Sequence, residues 1–176
     1  INHPSTKCIA VEALDRNVEY MKNLKMINNL TFEISNCAID IVDNKRMEFF
    51  VPKNIGKNKL SAIGSLNKSF RESQGIYSNI DYETKEVKTI TLPTLLQGSE
   101  KSLVKLDIEG NEFRVLEDSL KNLDTGNIDF ILEIMLYDKD KDLLFTLMKD
   151  YGYRAFLITN KGLVEEQKAL TMPYPY

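Results

Sequence analysis

The chain has 176 residues, enough for one domain with a sizeable core and too few for two comfortable ones. Its net charge of −3 gives no basic surface for nucleic acid or an anionic membrane, and no apolar run approaches membrane-spanning length. Two distant cysteines and a single histidine, His3, argue against a disulfide framework, a multi-histidine metal site and a Ser-His-Asp triad. We therefore expect a globular cytoplasmic protein with neither nucleic acid nor a membrane as a partner.

The first predicted unit is a strand, a helix and a second strand. Cys8–Leu14 is an apolar run of strand length, and Asn17 is a candidate N-cap for the helix that follows. A second strand is predicted at about Thr31–Ile39. Such units cross over right-handed onto a parallel sheet, so the pattern indicates an α/β fold.

An acidic residue, Asp15, stands at the end of the first predicted strand. In nucleotide-binding α/β folds a carboxylate at that place accepts hydrogen bonds from the ribose hydroxyls. Asp15 suits this role better than Glu12, which falls inside the predicted strand. The alternative is that Asp15 only favours the N-terminus of the following helix.

Residues 40–101 are less regular. Met47–Val51 and Glu86–Leu92 are predicted strands, and Pro93–Leu96 begins a short helix or turn. The segment 53–80 is rich in Asn, Ser, Lys and Gly. We interpret it as a mobile insertion that acts as a lid or selects the substrate, or alternatively as an insertion without a role.

The stretch Ser102–Phe113 predicts a strand, a turn at Gly110 and the start of a helix. On an extended chain Lys105, Asp107 and Glu109 share one face. Because a buried charge is costly unless it is paired, this strand is either an edge or opens onto a site. The alternative is an exposed face on which the lysine and the first acid pair with each other.

The remaining elements repeat the α/β pattern. Ile128–Leu136 is a predicted strand with an internal acid, Glu133, and Lys141–Tyr151 is a predicted helix. Tyr153–Ile158 and a segment from Leu163 form the last predicted strands. Three strands thus carry an acid at or near their ends, namely Asp15, Asp107 and Glu133. The carboxyl ends of parallel strands are where α/β proteins bind ligands. Like charges gathered there raise at least one pKa, as a general base near neutral pH requires.

The run VKLDIEGNEFRVLEDS at 104–119 resembles the signature of the FkbM-type S-adenosylmethionine-dependent methyltransferases, K-[IL]-D-[VI]-E-G-x-E-x-x-V-L. The residues that match are Lys105, Asp107, Glu109, Gly110, Glu112, Val115 and Leu116. Weaker similarities follow the family's order at residues 13–17, 36–39, 65–66, 89–96, 131–134 and 151–153.

The resemblance implies one Rossmann-like class I methyltransferase domain over 1–176, with a mostly parallel sheet and helices on both faces. It implies S-adenosylmethionine as the cofactor and O-methylation of a hydroxyl on a sugar, glycan or natural product. By position, the cofactor-binding residues are Asp15 at the ribose and Asn36, Cys37 and Ala38 near the adenine. The catalytic candidates are Asp107, Glu109 and Glu133, and the substrate-binding candidates are Lys105, Glu112 and Ser65. No metal is indicated, although a carboxylate pair that holds a divalent cation is an alternative to a carboxylate base.

One family feature has no counterpart in the sequence. The family opens with a strand and a glycine-rich D-x-G-A-N-x-G turn, whereas the first glycine here is Gly56. In the family's sheet that strand lies between those predicted at 8–14 and 103–108. We therefore expect an N-terminally truncated chain or, if the chain is complete, poor folding or a strand borrowed from another copy.

Two other functions stay open at the level of sequence. One is a non-catalytic Rossmann-like binding or assembly module that has lost its cofactor. The other is a hydrolase with an all-oxygen magnesium or calcium site built on Asp107, Glu109 and Glu133.

Overall fold

A computed structural model describes residues 6–53, 64–66, 81–134 and 138–166. The strands are β1 (Ile9–Glu12), β2 (Glu33–Asn36), β3 (Ala38–Ile39), β4 (Arg46–Pro52), β5 (Tyr82–Ile90), β6 (Ser102–Leu106), β7 (Ile128–Leu132), β8 (Ala155–Thr159) and β9 (Gly162–Glu166). The helices are α1 (Asp15–Ile27), α2 (Leu92–Leu96), α3 (Glu112–Ser119) and α4 (Lys141–Asp150), with short 3-10 turns at Leu120–Asn122 and Thr125–Asn127. Of the predicted lid at 53–80, Lys53 and residues 64–66 lie within the described ranges, and the rest of the segment lies outside them.

The strand pairings among the described residues are mixed, three parallel and two antiparallel. β1 pairs with β2, β3 with β5 and β6 with β7, all in parallel. The β4–β5 and β8–β9 pairs are antiparallel. The predicted α/β class is therefore confirmed, and both β1–α1–β2 and β6–α3–β7 are strand–helix–strand units with parallel strands.

The sheet is smaller and more fragmented than predicted. Among the described residues the strands fall into separate ladders, β1–β2, β3–β5–β4, β6–β7 and β8–β9. β1 and β6 each have a hydrogen-bonded neighbour on one side only, so nothing in the described ranges joins their ladders. The expectation that a further strand belongs between them stays a prediction.

The first helix begins earlier than the sequence indicated. α1 starts at Asp15, with Leu14 in extended conformation before it, so the predicted N-cap at Asn17 is wrong. Asn17 instead lies in the first turn, and its Nδ2 donates to Glu12 Oε2 at 3.1 Å. The backbone N–H of Leu14 donates to Glu12 Oε1 at 2.8 Å. Glu12, at the end of β1, thus stabilises the start of α1.

Several predicted strands are shorter than expected. The strand predicted at 31–39 is interrupted at Cys37, where the chain leaves the β1–β2 ladder and pairs with β5 instead. The strand predicted at 128–136 ends at Leu132, so Glu133 follows the strand and does not lie inside it. The Glu133 N–H donates to the carbonyl of Leu106 at 3.1 Å, which continues the β6–β7 ladder by one bond.

The larger core lies between α3, α4 and the ends of the parallel strands. Its buried members are Ile39, Leu92, Leu106, Val115, Leu116, Leu120, Leu144 and Met148. Each fully buried Leu stabilises the fold by about 1.5–3 kcal/mol relative to an exposed one. This core anchors α3 directly after the loop that follows β6. None of the helices in the described part of the chain is long and apolar enough to cross a membrane.

Candidate functional site

A pocket of about 300 Å³ lies at the carboxyl ends of the parallel strands. The end of β1, the β2–β3 junction and the loop after β6 form its walls. Its polar lining includes Glu12, Asp107, Glu109 and Asn111, while aliphatic and aromatic side chains form the rest. This is where α/β folds bind their ligands, and the sequence predicted a site at this edge.

A tight turn after β6 carries the central acid of the site. β6 ends at Leu106, so Glu109 does not share a strand face with Lys105 as the sequence predicted. Glu109 and Gly110 have φ values of 54° and 84°, both left-handed. That conformation is unfavourable for a residue with a Cβ, so other contacts must stabilise it.

Two side chains hold this turn. The carboxylate of Glu112 accepts hydrogen bonds from the backbone N–H groups of Ile108 and Gly110, each at 2.9 Å. Ser65 Oγ donates to the carbonyl of Glu109 at 2.7 Å. Glu112 is only 2% exposed, and burial raises the pKa of its carboxyl while the backbone N–H bonds oppose that change. The polar groups of Glu112 and Ser65 are thus engaged by the backbone of the turn. Their predicted substrate binding stays a prediction.

The Glu109 carboxyl is the most perturbed acid of the site. Burial raises its pKa, and the negative charges of Asp107, Glu133 and Glu112 raise it further, to about 7. Among the described residues its carboxyl has no hydrogen-bond partner. The sequence predicted a raised pKa among the strand-end acids Asp15, Asp107 and Glu133, and the pKa of Glu133 is raised.

Lys105 links two further acids beside the pocket. Its Nζ lies 2.7 Å from Asp107 Oδ2 and 3.9 Å from Glu133 Oε2. The hydrogen bond to Asp107 raises the pKa of Lys105. A hydrogen bond to Asp107 is also the main reason why the pKa of Glu133 is raised. Asp107 follows the strand and pairs with the lysine, as the alternative predicted, and it also lines the pocket. Lys105 and Glu133 lie outside the lining formed by the described residues.

The cofactor-binding candidates divide into two groups. Cys37 and Ala38 line the pocket, but Asn36 and Asp15 do not. Asp15 is exposed in the first turn of α1, where its Oδ1 accepts from Asn36 Nδ2. Glu12 lines the pocket in its place, because β1 ends at Glu12 and not at Leu14. The cofactor role of Asp15 stays a prediction that this geometry does not support.

Sequence reasoning assigned no role to two buried polar residues near the site. Asn111 lines the pocket at 6% exposure, and the helical period that begins there was the only signal it gave. Asp40, at 1% exposure, forms an ion pair with Arg114 at 2.6 Å between the end of β3 and α3. These partners are 74 residues apart, so no local pattern could have found the pair. In the described ranges no group of three or more His, Cys, Asp or Glu side chains is suited to hold a metal ion.

Fold and site together define an α/β protein with an acidic ligand pocket at its strand ends. The sequence model of the methyltransferase FkbM domain matches residues 2–155. The chain therefore belongs to the FkbM methyltransferase domain family, and the resemblance found in the sequence is confirmed. The family implies a methyltransferase with a Rossmann-like fold, and methyltransferases in general use S-adenosylmethionine. No curated protein matches the chain, and no solved structure does.

Proposed function

We propose that this protein is an S-adenosylmethionine-dependent O-methyltransferase that acts on a hydroxyl of a sugar, glycan or natural product. The observation that carries the proposal is the Glu109 carboxyl, which lines the strand-end pocket on a braced turn with a pKa of about 7. A general base works best with a pKa near the operating pH. An alcohol has to lose its proton during methyl transfer, which is the task this carboxylate suits.

The residues that line the pocket fit the sulfonium group, the ribose and the base of the implied cofactor. S-adenosylmethionine supplies an electrophilic methyl group on a sulfonium cation. Glu12, Asp107 and Glu109 give the pocket a negative character that favours such a cation, and Glu12 is suited to accept hydrogen bonds from ribose hydroxyls. Cys37 and Ala38 supply apolar surface for a base, since burial raises the pKa of the Cys37 thiol and keeps it neutral. No Lys or Arg is part of the lining formed by the described residues.

The proposed reaction is a direct displacement. With S-adenosylmethionine bound, the acceptor oxygen would bond to the methyl carbon as the carbon–sulfur bond breaks, and the Glu109 carboxylate would take the hydroxyl proton. The products are the methyl ether and S-adenosylhomocysteine. Such a displacement depends mainly on alignment, so the bonds from Glu112 and Ser65 that fix the turn serve the reaction by positioning Glu109.

Asp107 has a different role in this proposal. Its carboxylate is engaged by Lys105 and by Glu133, so it is held in place and lies next to the base. We assign Asp107 to binding the sulfonium cation of the methyl donor, because a fixed negative charge beside a cation attracts and orients it. Lys105 and Glu133 position Asp107, and a direct contact between Lys105 and the acceptor stays a prediction.

Calorimetry with S-adenosylhomocysteine on protein of verified intact mass tests the cofactor. Methyl transfer from methyl-labelled S-adenosylmethionine to a panel of methyl glycosides then tests the reaction. We expect saturable heat and labelled methyl ether with the wild-type protein. No heat from a folded protein that carries the full upstream sequence would rule out the enzyme and favour the non-catalytic binding module.

A further inference from the structure

The pocket contains one polar group for which the reaction described above has no use. Asn111 lines the pocket, is 6% exposed, and has a side-chain Nδ2 that meets no hydrogen-bond acceptor in the described part of the chain. Within the described ranges its backbone is engaged, since the N–H of Val115 donates to the Asn111 carbonyl at 3.1 Å. A buried donor without a partner costs about 1–3 kcal/mol, so such groups in native proteins call for an explanation.

The usual role of an asparagine at this position is absent. Asn111 precedes α3 as its N-cap, where an Asn side chain normally accepts a hydrogen bond from the first turn of the helix. Here the side chain makes no such bond. The amide is therefore not used to stabilise the helix, although its residue lines the pocket.

Asn111 and Glu109 flank Gly110 on the same turn and line the same pocket. The amide offers a donor and the carboxylate offers an acceptor, and a hydroxyl group is the complement of that pair. We propose that Asn111 Nδ2 donates a hydrogen bond to the acceptor's hydroxyl oxygen while Glu109 accepts its proton. This inference rests on the proposed function and adds a contact residue to it.

The pairing has a consequence for the choice of substrate. A hydroxyl oxygen has two lone pairs, so one can accept from Asn111 while the other attacks the methyl carbon. A neutral amine has a single lone pair, and donation to it blocks the attack. The same hydrogen bond strengthens as the oxygen loses its proton and gains negative charge, so its benefit falls on the chemical step more than on binding.

Two variants of Asn111 test the contact. Asn111→Asp keeps the shape and can act as an N-cap but replaces the donor by an acceptor, and Asn111→Leu removes both polar atoms at similar volume. With the best glycoside of the panel we expect kcat to fall at least about 10-fold in both, because a hydrogen bond to a charged group is lost. KM and the affinity for S-adenosylhomocysteine should change less than about 2-fold, which separates an effect on the chemical step from an effect on binding.

The chain offers a matched control. Ser119 is fully buried, and its Oγ also lacks a hydrogen-bond partner among the described residues, but it lies on α3 outside the pocket lining. Ser119→Ala should retain wild-type kcat. If both Asn111 variants match this control while the wild-type protein binds S-adenosylhomocysteine and methylates a glycoside, the contact is wrong and the proposed function stands.

Nuclear magnetic resonance gives a readout that does not depend on turnover. In ¹⁵N-labelled protein with bound S-adenosylhomocysteine, the side-chain amide signal of Asn111 is the one missing from Asn111→Asp. We expect this signal to move downfield when the best glycoside is added, as a new acceptor meets the N–H. A signal that does not move, or faster methylation of the amine in the analogue that carries an amino group in place of the methylated hydroxyl, would overturn the inference.

Discussion

The ends of β1 and β6 carry acids in two contrasting arrangements. At β1 the strand-end acid Glu12 reaches forward, and its carboxylate is engaged by Leu14 and Asn17 at the start of the helix. At β6 the helix acid Glu112 reaches back to the turn, and the strand-side acid Glu109 keeps a carboxyl without a partner in the described chain. An acid that is held by hydrogen bonds suits binding, whereas one that is buried and unpaired suits proton transfer. In the proposed function, this difference assigns a binding side and a reacting side to the pocket.

The largest expected effect tests the reacting side. Glu109→Gln removes the base but keeps the shape, so kcat should fall by about 10²–10⁴-fold while S-adenosylhomocysteine still binds. In the wild-type protein kcat should rise with pH and level off above about 7, because Glu109 must be ionised to take the proton. Glu117→Gln, on the exposed side of α3, is the matched control and should behave as wild type. A Glu109→Gln protein with more than a tenth of wild-type kcat would show that another group is the general base.

The next effect tests the bonds that hold the turn. Glu112→Ala leaves the backbone N–H groups of Ile108 and Gly110 without their acceptor, which should lower the free energy of unfolding by about 2–3 kcal/mol. Glu112→Gln retains one acceptor oxygen and should cost about half as much. Both variants should also lower kcat, because Glu109 is no longer fixed. Urea unfolding measures the stability, and equal losses for Ala and Gln would show that the two bonds do not act as described.

A smaller effect tests the binding side. Glu12→Gln should weaken S-adenosylhomocysteine about 10-fold, as expected when a hydrogen bond to a charged group becomes a neutral one. Asp15→Asn should change the affinity less than about 2-fold, because Asp15 is exposed outside the pocket lining. Calorimetry distinguishes the two. The opposite ranking would show that Asp15 binds the ribose, as the sequence predicted, and that Glu12 does not.

The sequence predicted the two strand–helix units because their signals are local. At 102–123 apolar residues first follow a strand pattern and then a helical period, and the observed β6 and α3 agree to within a few residues. The error that mattered was where β1 ends. A strand thought to reach Leu14 made Asp15 the strand-end acid, whereas the strand that ends at Glu12 brings that residue to the pocket.

Other features depend on contacts that no local pattern encodes. The positive φ of Glu109 is stabilised from Ser65, which is 44 residues away in the chain. The buried charge of Asp40 is compensated by Arg114 from α3. The free amide of Asn111 follows from the absence of a capping bond, and an Asn before a helix ordinarily predicts the opposite.

The smallest effect tests whether burial of Glu109 opposes folding. Its pKa is about 7 in the folded protein and near 4.5 when exposed, so the unfolded chain releases the proton first. Stability from the protonated form is therefore fully present below pH 4.5 and is lost as pH rises to about 7. Glu109→Gln has no such loss, and above neutral pH it should be more stable than wild type by about 1 kcal/mol after allowance for solvent screening at this half-buried site. Well below pH 4.5 the two proteins should unfold alike, and thermal unfolding in that range and above neutral pH measures the difference. A gap that stays constant with pH would mean that Glu109 is solvated and paired like Glu12, and the contrast between the two strand ends would disappear.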